Sequence, residues 1–492
     1  MLNVIYQPIA KRKTLQDSAA TRRLLWAMNA SRGVLLVALA LLAIAALRDV
    51  ARLGDALPWR QLYDFGDFYC AGAALDEARD PYRYEPLHRC EHAVNATPAY
   101  RNDPARVVPA PLPPYDFPPF MLAARLAFST ARLVDAIVIV AAILMTIWGL
   151  AIAGVTLDVA ALALAFPAGY VLLAAGQVVP FALLALVFSG ASLARGHARG
   201  AGVLAALTLV EPHLGLPVAV ATLVWVPRSR LPLVACTLVL ASAAALLVGF
   251  PGLREYASGV LPGQASAEIG YAYQYSLTYL LRALGAAPRL ALFAGELSYF
   301  AMLAAGVWLG GRTAAVLGRR ELTVYLPAAC SVVAGPYVHM VDLAFALPAA
   351  LVLADTLHGR PRMLAIFAVC ALAVAWIPVW IAKRLFLATL VVVAALLWRL
   401  RAPAAFAIAT FAAVAAAIYL LELAPPAPLV AVTPAIFSPT DLAQSAWRAY
   451  VERLGTPGPL WFVVKLPTWA ALCSLLIAAA SAVRSKRGVT ET

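Results

Sequence analysis

Nearly uninterrupted apolar runs of fifteen to twenty-two residues recur along the chain, at Gly33 to Leu47, Val134 to Val155, Leu231 to Phe250, Leu290 to Leu309 and Met363 to Ala382. Each approaches the roughly 20 residues a helix needs to cross a hydrocarbon core about 30 Å thick. A bilayer core offers no water to unpaired backbone groups, so a crossing segment is either a helix or a strand of a closed barrel. The runs are continuous in Leu, Ala and Val instead of alternating apolar with polar, which excludes the barrel pattern. The expected class is an all-α polytopic membrane protein.

Composition agrees. Of the 492 residues 63% are hydrophobic and 13% charged, against about 25% charged in an ordinary soluble domain. The net charge of +13 raises the question of a nucleic-acid partner. The basic residues, however, sit in short loops between apolar runs and form no single patch, so they are topology signals, and no nucleic acid is expected. Placed inside by this rule are the basic segment Met1 to Asn29, the pairs Arg195/Arg199, Arg228/Arg230, Arg360/Arg362 and Arg399/Arg401, and the groups Arg312/Arg319/Arg320 and Arg484/Lys486/Arg487. The run from Gly33 has no evident small-residue cleavage site and is expected to be a retained first span.

Between successive inward clusters the chain must go out and return. Val159 to Ala194 then forms a pair of spans with Gly176-Gln177 at its tip, Glu321 to Thr356 a pair with Gly335 to Asp342 at its tip, and Met363 to Leu397 a pair with Lys383-Arg384 at its tip. Ala201 to Val226 is too short for two full spans and carries Glu211-Pro212-His213 in its middle, which points to two half-helices broken at Pro212. With Ala404 to Leu423 and Leu460 to Val483 the count reaches about thirteen or fourteen crossings, both termini inside. Two polar excursions fall outside, 48–130 and 251–288. In the first, Phe65, Phe68, Gly72 and Leu75 share one side at helical spacing, as in a short interfacial helix. The stretch Pro109 to Pro119, with six prolines, is not expected to be regular helix. Six cysteines lack CxxC spacing, and only Cys70 and Cys90 share an outer excursion, where distance along the chain does not settle whether they pair.

There is no phosphate-binding loop of the GxxxxGK[ST] form, no GxGxxG, no HExxH and no DxD, which argues against an ATP-driven pump or a nucleotide-sugar enzyme. What gathers on the outer side is Asp64, Asp67, Asp80-Pro81-Tyr82, Gln177, Glu211, His213, His339, Asp342 and Lys383-Arg384. Ionisable groups near membrane depth are costly, and function is their default reading. Structural alternatives stand beside it. Asp64 and Asp67 suit a helix cap, Asp80-Pro81 a turn, Gln177 and His339 interhelical hydrogen bonds, and Lys383-Arg384 a headgroup anchor.

These residues also carry a resemblance. Asp64-Phe65, Phe68-Tyr69, Ala73-Ala74-Leu75 and Asp80-Pro81-Tyr82 resemble the first-loop signature of glycosyltransferase family 87, the polyprenol-phosphate-mannose-dependent mannosyltransferase-like proteins. Phe117-Pro118-Pro119-Phe120, Gly176-Gln177-Val178, Tyr275-Ser276-Leu277 and Gly335-Pro336-Tyr337 with His339 and Asp342 follow in the family's order. The chain departs from the pattern at Glu211-Pro212, where lysine-proline is common, and at Gln274, where asparagine is usual; beyond about Thr356 only hydropathy is shared. The resemblance implies a C-type glycosyltransferase bundle that moves a mannose-like hexose from a polyprenyl-phosphate donor to a lipid or glycan acceptor hydroxyl, with inversion, at the outer face of a bacterial inner membrane. Asp64 is then the expected base and Asp67 its reserve. Gln177, Glu211, His213, Ser276, His339, Asp342, Lys383, Arg384 and Tyr82 are the expected substrate contacts, with no metal and no cofactor. The alternative is a transporter or flippase of a lipid-linked sugar or other polar solute.

Overall fold

A computed structural model describes residues 37, 40–54, 57–95, 98–164, 168–423, 435–455 and 459–490. The basic segment at the N-terminus and the beginning of the expected first span lie outside these. Among the described residues the chain is helical, and extended pairing is limited to two isolated bridges, Arg83 with Leu442 and Gln274 with His339.

Five segments are long and apolar enough to cross a membrane: Phe128–Ile152, Pro227–Ala267, Pro288–Leu317, Ala404–Leu421 and Leu460–Arg484. A sixth arises if Leu157–Leu164 and Ala168–Ala175, bent by 52°, count as one. Where other crossings are expected stand shorter apolar helices, among them Val179–Ala194, Pro212–Trp225 and Leu322–Ser331, so that among the described residues five or six segments, not thirteen or fourteen, are long enough to cross by themselves. The expected paired full spans of Glu321 to Thr356 are replaced by two ten-residue helices, Leu322–Ser331 and Leu347–Thr356, joined through the 3-10 turn Asp342–Ala346. Their side chains are buried nearly throughout. Short helices at this depth need protein on every side to satisfy the backbone at their ends, and this hairpin has it. By contrast only 11% of the apolar window of Pro227–Ala267 is buried, so its Leu and Val side chains form an outer surface of the kind lipid covers.

The break at Pro212 is as the sequence implies. Helix Ala198–Leu207 tightens into the 3-10 turn Thr208–Val210, Glu211 is extended (φ −117°, ψ 91°), and Pro212 opens the helix Pro212–Trp225. Within the proline stretch Pro109 to Pro119 the outcome differs from expectation at its end. Phe117–Ala124 is helical, with Pro118 and Pro119 in its first turn, where a missing N–H costs nothing.

The helix expected from the Phe65, Phe68, Gly72 and Leu75 spacing runs Phe65–Asp76. It is buried rather than surface-lying: nine of its residues are inaccessible. It packs along Phe117–Ala124, and a Cβ on Gly72 would stand 2.4 Å from the Phe120 carbonyl carbon. A disulfide between Cys70 and Cys90 ties it to helix Tyr84–Val94. Arg83 then joins three segments, with its guanidinium on Asp80 (2.8 Å), Glu255 (2.5 Å) and the Thr440 carbonyl (2.7 Å). Arg453, from helix Ala443–Leu454, pairs with Asp103 at 3.1 Å. The two expected polar excursions and a third segment, 435–455, thus close into one cap over the short-helix hairpins. Much of the second excursion is itself helical, at Leu261–Ala267 and Leu277–Ala283.

Candidate functional site

The cap meets the bundle at the Gly176 turn. Gly176 has φ +66°, and a Cβ there would come within 3.0 Å of the Leu62 Cα, so the left-handed geometry and the close approach both favour glycine. Across this contact the Tyr63 N–H donates to the Ala174 carbonyl and the Asp64 N–H to the Ala175 carbonyl, each at 2.9 Å. The register places the Gln177 side chain against Asp64, and its Nε2 donates to Asp64 Oδ2. Asp64 occupies the N-cap position of helix Phe65–Asp76 but makes no side-chain bond to the helix N–H groups. The capping alternative is therefore not realised.

Burial raises the Asp64 carboxyl to about 6; the Gln177 hydrogen bond and the His339 charge oppose the rise, Glu268 adds to it and Arg106 opposes it. Asp67, one turn on, is differently placed. The Tyr100 hydroxyl lies 3.2 Å from Asp67 Oδ1 and 2.8 Å from Glu91 Oε2, and the Val108 N–H donates to Glu91 Oε2 at 3.0 Å. One hydroxyl proton cannot serve two carboxylates. For both contacts to be hydrogen bonds, one of the two carboxyl groups carries a proton. Burial, and for Asp67 the neighbouring Glu91, push both upward, Glu91 to about 8. Asp67 thus shares the Tyr100 hydroxyl with Glu91. Beside it Arg106 lies over three rings, Tyr450 at 4.6 Å, Tyr100 at 5.1 Å and Trp447 at 5.7 Å, and donates to the Tyr450 hydroxyl at 2.8 Å.

Opposite Asp64 stands a second group built on the tip after Leu322–Ser331. Glu268, 5% exposed, accepts from four N–H donors. These are Gln264 Nε2 (2.8 Å) and Trp447 Nε1 (3.1 Å) on one oxygen, Gln274 Nε2 (2.7 Å) and His339 Nε2 (2.6 Å) on the other. The Gln274 amide is oriented unambiguously, since its Oε1 accepts from the Val338 N–H at 2.8 Å. Gln274 is held from behind by Lys465, whose Nζ donates to its carbonyl at 2.6 Å and lies 3.2 Å from the Tyr279 ring centre. His339 stacks on Tyr337 at 4.6 Å, and its backbone N–H donates to Asp342 Oδ2 at 2.7 Å. The same Asp342 oxygen meets His213 Nε2 at 3.3 Å, and His213 Nδ1 stands 3.5 Å from Glu211. Burial opposes the charged ring, but the Glu268, Asp342 and Asp64 carboxylates together lift His339 to about 9.

Of the residues singled out in the sequence, Asp64, Asp67, Gln177, Glu211, His213, His339 and Asp342 come together here. Four expected contacts have other places. The Tyr82 hydroxyl is buried on the Leu112 carbonyl (2.8 Å), its ring against Phe117 and Tyr256. Ser276 Oγ accepts from the Tyr279 N–H (3.1 Å) as a helix N-cap. Lys383 and Arg384 form an exposed 3-10 turn, and no described hydrogen bond or ion pair joins Arg384 to the cluster. Asp80 forms the expected turn, accepting from the Tyr82 N–H at 2.9 Å. Glu268, Arg106, Glu91, Tyr100 and Trp447 were not singled out: the contacts that draw Glu268 to His339 and Trp447, and Arg106 to Tyr450, span 71 to 344 positions, and the shorter Glu91–Tyr100 contact follows no motif. The one available signal was Glu268, an isolated acid in an Ala- and Ser-rich stretch.

Next to His339 an apolar cleft is lined by Tyr275, Met340, Leu343, Trp376, Ile377 and Pro378. Among the described residues no three His, Cys, Asp or Glu side chains are grouped to hold a metal ion. The arrangement brings carboxylate acceptors, a partly exposed carboxyl group, and imidazole and guanidinium donors into one cluster, and Met340, next to His339 in the chain, lines the apolar cleft.

Comparison with known family models, with curated proteins and with solved structures finds no match. The fold and composition define an integral membrane protein of the all-α polytopic class, with long apolar helices around buried short-helix hairpins.

Proposed function

We propose that the protein is a C-type membrane glycosyltransferase that moves a mannose-like hexose from a polyprenyl-phosphate donor to an acceptor hydroxyl on a lipid or glycan, at the extracytoplasmic face of a bacterial inner membrane. The observation that carries the reading is the meeting of Asp64 with Arg106 of the same excursion and with Gln177, His339 and Glu268 from three distant segments. The ordered resemblance to family 87 supports it, and the Cys70–Cys90 disulfide supports an oxidising outer compartment for the cap.

In this reading Asp64 Oδ accepts the acceptor's hydroxyl proton as the oxygen attacks the anomeric carbon. The bond from that carbon to the phosphate oxygen breaks, and its electron pair leaves on the phosphate. Displacement in one step inverts the sugar carbon. The base contributes about 10²- to 10⁴-fold, and cations near the leaving phosphate supply the rest of the stabilisation. The test is transfer of labelled hexose from polyprenyl-phosphate hexoses by purified protein in nanodiscs. Wild type transfers, and Asp64→Asn loses at least about a hundredfold. Full transfer by both Asp64→Asn and Asp67→Asn would overturn the assignment.

One observation favours the second reading, transport of a polar solute. Six carboxyl groups, Asp64, Asp67, Glu91, Glu211, Glu268 and Asp342, face three basic ones, Arg106, His213 and His339. Chains of buried acids and imidazoles also relay protons in transporters. Solute movement in sealed vesicles under a pH gradient, with no covalent transfer, would decide for it.

A further inference from the structure

Glu268 is a carboxylate with every acceptor position filled. Trp447 Nε1 donates to it without ambiguity, Gln274 Nε2 does so because its Oε1 is engaged by Val338, and Gln264 and His339 complete the set. Toward all four of these N–H groups the Glu268 carboxylate is the acceptor. His339 must then present Nε2–H to it, which leaves Nδ1 as the ring's second polar atom, with no described hydrogen-bond partner. The ring cannot turn away, being stacked on Tyr337 and bonded through its own N–H to Asp342. The expected cations Lys383 and Arg384 are exposed on another turn. A negatively charged ligand approaching this acidic cluster needs a cation, and His339 acts on the Asp64 carboxyl while its chain neighbour Met340 lines the apolar cleft.

Resting on the transferase reading, we propose that Glu268 is a positioning residue that keeps His339 as an imidazolium, and that the Nδ1–H of His339 binds the phosphate of a lipid-borne phosphodiester whose chain enters the Met340–Trp376 cleft. The charged groups that face His339 are Glu268 from helix Leu261–Ala267 and its C-cap, Asp64 from the cap helix, Asp342 on its own turn, and His213 and Glu211 from the broken helix. Of these Glu268 acts most strongly to keep the ring charged.

The experiment measures binding of farnesyl methyl phosphate, a sugar-free phosphodiester with one fixed charge, to the full-length protein in nanodiscs from pH 5.5 to 9.5. Wild type binds with an affinity that is level to about pH 8 and falls above it, as His339 loses its proton near 9. Glu268→Gln returns the imidazole toward its ordinary value near 6.5. At pH 7.5 only about a tenth of the rings then stay charged, so affinity falls by up to about tenfold, while at pH 5.5 it recovers to the wild-type value. A misfolded variant would not recover on acidification, and Glu268→Asp restores part of the neutral-pH affinity. His339→Gln binds weakly at every pH.

An unaltered pH profile in Glu268→Gln, an equal loss at all pH values, or undiminished binding by His339→Gln overturns the inference and leaves the transferase reading standing. Binding of dimethyl phosphate as tight as that of the farnesyl ester overturns the lipid assignment. If wild type itself fails to bind the farnesyl ester, the transferase reading falls, and the inference with it.

Discussion

Replacing Gln177 by Leu removes the one side-chain donor that the described contacts give the Asp64 carboxylate, while keeping a side chain of similar volume at the turn. A hydrogen bond to an ionised group contributes about 1.5–3 kcal/mol, and 1.36 kcal/mol corresponds to one pKa unit. Loss of the Gln177 N–H therefore raises the Asp64 carboxyl by about one to two units, from about 6 to between about 7 and 8. A hydrophobic carbodiimide reacts only with protonated carboxyl groups, so its incorporation at Asp64, followed by mass spectrometry of the labelled peptide, reads the titration without any assumption about activity. Half-maximal labelling falls near pH 6 in wild type and near 7 to 8 in Gln177→Leu. At pH 7 the ionised fraction drops from about nine-tenths to between a half and a tenth, and transfer activity falls two- to tenfold with recovery at pH 9. The sign follows from the bond itself: Gln177 donates to the charged form, so its removal can only favour the neutral one. A labelling midpoint that stays at 6, or moves downward, would show that Gln177 does not govern this carboxyl.

Gly72→Ala sets a methyl group 2.4 Å from the Phe120 backbone, contact that only separation of helices Phe65–Asp76 and Phe117–Ala124 relieves. Destabilisation of about 1–3 kcal/mol is expected, seen as a lowered thermal midpoint in nanodiscs; an unchanged midpoint refutes the close packing. At the opposite end of the bundle Arg319 joins Glu321 (2.5 Å), Thr356 (3.2 Å) and the Ala153 carbonyl (3.1 Å). Arg319→Met leaves Glu321, 2% exposed, as a buried charge without its guanidinium, at a cost of about 3–5 kcal/mol near neutral pH. Thermal denaturation of Arg319→Met beside wild type in nanodiscs tests this; a shared midpoint contradicts it.

The sequence by itself determined the class, because long runs of Leu, Ala and Val admit no other solvent than lipid, and the bilayer then demands helices. It also determined local punctuation: the break at Glu211-Pro212, the tight turn at Gly176, the helix from Phe65 and the Asp80 turn all follow from residues adjacent in the chain. Tertiary structure alone decided which polar residues meet. Asp64 and Gln177 are 113 positions apart, and Glu268 and His339 71 apart, and no local pattern encodes such pairs. The same distance explains why Tyr82, in a family-like motif, became a packing residue against Tyr256, and why Glu268 and Arg106, with partners 179 and 344 positions away, were invisible beforehand; Ser276 instead caps a helix through a contact only three residues along the chain. It also explains the short hairpins: a ten-residue apolar helix reads as half of a span, and only burial against its neighbours makes so short an element stable at membrane depth. Hydropathy is a property of a segment, whereas a site is a property of the space that several segments enclose.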